Sequence, residues 1–387
     1  QYRTEAYVFD SSLSNTSSES DRTVKSVFAE VGIPLLKDAS FAKELTLTLA
    51  ARHERFDQSG NGSLQDTTYY NGGSLATYGG FDIGAIAGLP PADTIGGYGA
   101  PQQVSRSYSN TSPLARLSWR PFDGLRLRAT WGKSFLTPQA QQQFGILYLN
   151  DRTFSIQYNG GQLPAGITRV IALRGPNNDL KPQVATVKTA GFDWSPSFAP
   201  GLTLSSTYND TRFKNYIGDP LSGISYADVF ANLSQFPEGT FTVGENGVML
   251  WDARAINFLG RYSRSIDASA SYLFGSSVGY FRFEFNATRT LELSSQSLAS
   301  QPVVTFSDSE LGPSKWAADL SANWEHGGYF ATVASHYSGS HRVLNPLSAS
   351  GTIYNDFIPN TDPLTRSGSY TTWDAQVGYR SLANDGW

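Results

Sequence analysis

The segment YFRFEFNATRT, residues 280–290, sets Phe281, Phe283, Phe285 and Ala287 between Arg282, Glu284, Asn286 and Thr288. Successive side chains of a strand point to opposite faces, so this segment has one apolar and one polar face when extended. A soluble sandwich accepts such a strand, with the apolar face in a core and the polar face in water. An outer-membrane barrel accepts it too, with the apolar face on lipid and the polar face on a wet lumen. Recurrence decides between them. GLRLRATW places Leu125, Leu127, Ala129 and Trp131 opposite Arg126, Arg128 and Thr130; KWAADLSANWE and TWDAQVGY alternate in the same way. LTLTLAARHE, LTLSSTYND and DASASYLF repeat the pattern. There are about twelve such segments, many longer than the five or six residues usual for a globular strand. No run approaches the roughly 18 apolar residues of a membrane helix. A chain like this spans a bilayer only as a closed barrel, because nothing in lipid satisfies an unpaired backbone.

Connection lengths carry more weight. Short links at 34–40 (PLLKDAS), 121–124 (PFDG), 195–201 (SPSFAPG), 275–277 (GSS) and 326–328 (HGG) are interspersed with long ones at about 57–111, 136–182, 215–252, 292–313 and 341–367. An antiparallel meander with short turns on one rim and long loops on the other is the pattern of an outer-membrane barrel. A sandwich has no reason to keep it. The spacing therefore predicts long loops outside the cell and short turns in the periplasm. Trp and Tyr favour the two membrane interfaces. Trp316 and Trp324, eight residues apart on one face, span about 19 Å along a barrel axis at a strand tilt of about 45°, inside an apolar band of about 25 Å.

Composition excludes several alternatives. With a net charge of −4 and pI near 5.6, the chain lacks the basic footprint of a nucleic-acid binder. The absence of cysteine removes disulfide frameworks and thiolate metal sites and fits a bacterial envelope protein. The 23 Phe, 20 Tyr and 37 Gly against only 16% charged residues suit strands and turns. The opening QYRTEAYVFD has no basic segment followed by an apolar one, so it is no secretory signal. The expectation is a cytoplasmic chain or a piece of a longer precursor.

RPFDGLRLRATWGKSFLTPQAQQQFG, residues 120–145, resembles the barrel of TonB-dependent outer-membrane receptors. So does NNDLKPQVATVKTAGFDW, residues 177–194, where Asn177, Leu180, Lys181 and Pro182 fit the family's Asn-x-x-Leu-Lys-Pro-Glu entry to a strand, with Gln183 in place of the usual Glu. VFAEVGIPLL, AINFLGRYSRSIDASASYLF and LGPSKWAADLSANWE add weaker matches in the same order. The resemblance implies an all-β fold, an antiparallel transmembrane β-barrel of outer-membrane type with about twelve strands present. Residues 1–387 would form one partial barrel domain of a barrel whose family pattern has 22 strands and an N-terminal plug domain. It implies import of a scarce large ligand, an iron-siderophore, a cobalamin or an oligosaccharide, with energy delivered through the plug by the TonB energy-coupling protein. Its partners are then outer-membrane lipid, the plug and a small-molecule or oligosaccharide ligand. A passive porin-like barrel or a barrel enzyme is the alternative, and no cofactor is implied.

Candidate lumen residues are Arg126, Arg128, Lys188, Asp193, Arg282, Glu284, Asp319 and Glu325, each with cross-strand pairing as its plainer role. Tyr69, Tyr70 and Tyr78, in the Gly-rich stretch TTYYNGGSLATYGG, are candidate ligand contacts in a long loop. His53, His326, His336 and His341 show no metal-protease spacing, and no nucleophile elbow or phosphate loop is present. The expectation is that the chain is not an enzyme.

Overall fold

In the computed structural model, which describes residues 2–6, 16–65, 102–158, 162–218, 229–230, 233–236, 238–296, 303–309, 312–342 and 366–380, the alternating segments join one sheet. Its strands are β1 (Tyr2–Ala6), β2 (Thr16–Ala39), β3 (Ala42–Gln65), β4 (Gln102–Arg120), β5 (Leu125–Leu136), β6 (Gly145–Asp151), β7 (Arg169–Arg174), β8 (Gln183–Trp194) and β9 (Leu202–Gly218). They continue with β10 (Phe241–Val243), β11 (Val248–Asp252), β12 (Ile256–Ser276), β13 (Gly279–Gln296), β14 (Val304–Thr305), β15 (Trp316–His326), β16 (Tyr329–Ser338) and β17 (Tyr370–Tyr379). Eleven of them, β2, β3, β4, β5, β8, β9, β12, β13, β15, β16 and β17, pair antiparallel in that order. β1 covers only the start of β2, from Thr16 to Ser20. Among the described residues the rest of that edge and the outer edge of β17 have no partner strand, so the ladder is an open wall and not a closed ring.

Residues directly opposite one another share a face, so the registers carry each face across the wall. One row runs Leu202, Tyr272, Phe283, Ala322, Val333, Ala375 from β9 to β17. One step along the strands, the other face runs Thr203, Ser271, Glu284, Ser321, Ala334, Asp374. Among the described residues no second layer covers the apolar rows: Phe283 is 40% exposed, Leu320 49% and Val377 80%. From β12 to β17 the apolar face carries no charged side chain between Arg289 and the short turns.

Short connections fall where the sequence places them. Pro121–Gly124 joins β4 to β5, Ser195–Gly201 joins β8 to β9, and Gly327 and Gly328 alone join β15 to β16. Gly124 takes φ +87, and a Cβ there would stand 2.3 Å from the carbonyl oxygen of Ser195, so only glycine closes that turn. Several boundaries differ from expectation: Gly275 and Ser276 of the expected GSS link belong to β12, and the turn to β13 is residues 277–278. β2 runs through most of PLLKDAS to Ala39, with a register shift between Pro34 and Leu36. The strands β3 and β4 continue as a ribbon as far as Gly62 opposite Gln102, deep into the segment expected to be loop. Ring-on-glycine contacts recur across the wall: a Cβ at Gly378 would lie 2.4 Å from Phe330, and one at Gly218 would lie 2.8 Å from Phe258.

The dry core lies in the long connections and not on the wall. β6 pairs parallel with the end of β3, β7 antiparallel with β6, β11 parallel with β7 and β10 antiparallel with β11. Ile156, Val170, Ala172, Met249 and Trp251 form its centre, and Leu149 and Leu173 are wholly buried. The sequence explains why these strands escape an alternation search. VIAL in β7 and VMLW in β11 are continuous apolar runs, the signature of strands buried on both faces.

Candidate functional site

The polar face of the wall brings together seven of the eight expected side chains. From β5 it runs through Arg126 and Arg128, then Asp193 on β8, Arg282 and Glu284 on β13, and Asp319 and Glu325 on β15. Lys188 is the correction. Its register partners are Trp131 and Asp210, so it stands with Ala190 and Phe192 on the other face. It lies an odd number of residues from Asp193, and on a regular strand that spacing always separates two side chains.

Cross-strand pairing organises the polar face. Arg128 grips Asp193 with Nε at 3.1 Å and Nη2 at 3.2 Å, while Ser205 accepts from Nη2 and donates to the same carboxylate at 2.9 Å. This two-pronged contact orients the guanidinium across three strands. Asp267 accepts from Asn209 and Thr288, each at 2.7 Å. Further round, His336 lies between two carboxylates: Nδ1 is 2.5 Å from Asp319 and Nε2 is 3.4 Å from Asp374. Both ring nitrogens of His336 are thus engaged by carboxylates. Period-two reading of TWDAQVGY already placed Asp374 on the polar face; what it lacked was the register that sets Asp374 beside His336.

The signs are unevenly distributed. On β4 and β5 the polar face carries Arg116, Arg120, Arg126 and Arg128, with Glu44 of β3 paired to Arg120 at 3.1 Å. On β12 to β17 it carries Asp267, Glu284, Asp319, Glu325 and Asp374 against Arg261, Arg282 and His336. One sector of the wall is basic and the neighbouring one acidic, so an object lying against both would need a surface of two signs.

Above the wall, Asp308 ties two connections together. Arg366 reaches it with Nη2 at 2.7 Å and Nη1 at 3.1 Å, Lys315 Nζ stands at 3.3 Å, and Arg342 donates to its backbone oxygen at 3.2 Å. Burial pushes the Asp308 carboxyl up, but Arg366 and Lys315 outweigh it and hold the group below the usual carboxylate value. No sequence signal pointed to this cluster, because its members come from separate connections. Asn177, singled out with Leu180 and Lys181, seats the β8 entry: its Nδ2 donates to Ala255 at 2.9 Å, and Leu180 is buried. Gln183 Oε1 accepts from the Ile217 amide at 3.3 Å. An amide oxygen meets that need as a carboxylate would. Trp324 donates to Val278 at the β12–β13 turn, and Trp316 lies under the Arg289 guanidinium at the other end of β15. The two tryptophans therefore sit at opposite ends of one strand. Tyr69, Tyr70 and Tyr78 lie outside the described residues.

The chain matches the family described as TonB dependent receptor-like, beta-barrel, over residues 1–387. It belongs to that family, which is one of receptors and transporters, not enzymes. Among solved structures it is similar to the ferric enterobactin receptor PfeA of Pseudomonas aeruginosa in complex with enterobactin, at 14% identity and a TM-score of 0.54, over 97% of this chain and 49% of that one. It is also similar to the siderophore receptor PirA of Acinetobacter baumannii, at 14% identity and a TM-score of 0.52, over 96% of this chain and 50% of that one. The ferric-catecholate import receptor Fiu of E. coli matches at 14% identity and a TM-score of 0.52, over 97% of this chain and 42% of that one. The chain thus spans about half the length of the receptors it matches. At this identity the likeness is one of fold. The comparison with curated proteins finds no match.

Proposed function

We propose that this chain is barrel wall of an outer-membrane receptor that imports a scarce large ligand with energy coupled from the inner membrane. The observation that carries the proposal is the uncovered apolar face, continuous over many strands, backed by a face of ion pairs and hydrogen bonds. In water so much exposed Phe, Leu and Val would be an aggregation hazard. Against acyl chains it is the required surface. In this reading the polar face lines the lumen, where its basic and acidic sectors meet a plug domain, and through the plug the TonB protein. Strands from outside residues 1–387 close the open edges of β2 and β17. The long connections face outside the cell, and the Asp308 tie and the core around Val170 and Met249 brace the mouth. The solved receptors similar to this chain include receptors for siderophores, which makes an iron-siderophore the first ligand to try.

The decisive measurement is partitioning in the full-length protein reconstituted in phosphatidylcholine vesicles. A spin label at Phe283 is expected to be relaxed by lipid-dissolved oxygen and one at Glu284 by a water-soluble nickel reagent. Equal access of both sites to the aqueous reagent would sink the reading. Ferric enterobactin and cobalamin, titrated separately against the same sample, then test the ligand class. Saturable binding of cobalamin alone would remove the siderophore.

A further inference from the structure

One sector of the apolar face breaks its own rule. Where β8, β9 and β12 approach the long connections, Lys188 faces Asp210, and Asp210 faces Arg264, which in turn faces Glu292 on β13. Arg212 and Lys214 follow on β9 on the same side. The two carboxylates are taken up within the group. Arg212 holds Asp210 at 3.2 Å through both Nε and Nη2, and Arg264 holds Glu292 at 2.5 Å. Lys188 and Lys214 have no ion-pair partner among the described residues, and both are exposed. These six side chains therefore sum to two unbalanced positive charges, to which Lys133 of β5, opposite Thr186 on the same face, adds a third, in a chain whose net charge is −4. Around the wall on β15, β16 and β17 the corresponding face has no charged residue at all. The excess is local, and it begins directly above Ala190, Tyr208 and Ile266 of the apolar rows.

An unpaired ammonium is costly among acyl chains and favourable at the level of anionic headgroups, which a long lysine stem can reach from below. Fixed arginines flanked by free lysines suit phosphate, which takes both directed and point-charge contacts. We infer that the outward face of β8, β9 and β12 seats the phosphate-bearing headgroup of an anionic membrane lipid, with Lys188 and Lys214 supplying the free charges. The inference rests on the barrel reading above. Its occupant is a lipid and not free phosphate because the charges are continuous with the surface that takes the acyl chains.

The test uses full-length protein reconstituted in phosphatidylcholine vesicles with either spin-labelled phosphatidylglycerol or spin-labelled phosphatidylcholine as the reporter. The motionally restricted fraction of each gives a relative association constant. The wild type is expected to prefer phosphatidylglycerol, and Lys188→Gln or Lys214→Gln to lower that preference about fivefold at the site, the worth of one basic residue near a charged surface. Lys37→Gln, at the short-turn end and on the polar face, is expected to leave it unchanged. Correct insertion is scored separately by heat-modifiable migration on gels. Inserted protein whose preference is untouched by Lys188→Gln and Lys214→Gln, or is lowered equally by Lys37→Gln, would overturn the headgroup site alone. Failure to insert at all would overturn the barrel reading and this inference with it.

Discussion

The wall and the connections above it solve burial in opposite ways. On the wall, Phe283 and Leu320 are 40% and 49% exposed, and the opposite face is satisfied by pairs such as Arg128 with Asp193. In the connections, Val170 and Leu149 are wholly buried and β7 and β11 are apolar on both faces. The same residue types thus do different jobs. A phenylalanine on the wall needs an apolar solvent, whereas a leucine in the connections needs neighbours. The contrast teaches that alternation marks the exposed wall of this protein, and that the loss of alternation marks the packed core found among its described residues.

Truncation should separate the two regions most sharply. Leu250→Ala in the packed core is expected to cost about 2–5 kcal/mol, because a lost transfer term and a residual cavity add. Leu320→Ala on the wall leaves no cavity if, as proposed, lipid fills the space, and should cost less; chemical unfolding in vesicles measures both. Equal costs would mean that the wall is packed against something solid. Next comes charge insertion. Phe283→Arg is expected to impair folding into bilayers by about 2–4 kcal/mol near the midplane, with Glu284→Arg much milder. Similar penalties for the two would erase the distinction between faces.

A smaller effect belongs to the tie at Asp308. Its carboxyl is held low by Arg366 and Lys315 against the opposing effect of burial. A lowered carboxylate contributes stability that is complete above its unfolded value, near 3.9, and is lost as pH falls through the lower folded value. Protease resistance of the connections should therefore hold at neutral pH and fall only below about pH 4. Asp308→Asn should reduce it by about 1–3 kcal/mol at neutral pH and flatten that acid dependence. A mutant that keeps the wild-type acid profile would show that another group sets it. The smallest expected change is Gln183→Glu, which preserves the acceptor for the Ile217 amide and should move stability by less than about 1 kcal/mol.

Much of the wall was legible in the sequence. Period two assigns Phe283 and Glu284 to opposite faces, the links PFDG and SPSFAPG fall between strands as written, and HGG does so but for His326, the last residue of β15. Lys188 and Asp193 were grouped by charge, although the parity of their own spacing already set them apart. What could not be read was anything that depends on register or on distant connections. Asp374 beside His336, and Arg366 beside Asp308, are neighbours only after strands and loops have been aligned. The core strands β7 and β11 were hidden for a different reason: continuous apolar runs of four or so residues carry no period that tells strand from loop.

The rings seated on glycines at Gly378 and Gly218 bear on a problem that burial cannot solve for this wall. A slip of one residue between neighbours would turn every apolar side chain inward and is forbidden outright. A slip of two keeps each face intact, and among the described residues no packed layer stands behind the sheet to object. With Phe330 nested over a position that admits no Cβ, sliding β17 by two residues would set the ring against Gln376 or Arg380. Such notches act as detents along the wall. They let a sheet without a dry core find a single alignment among those its hydrophobic pattern cannot tell apart.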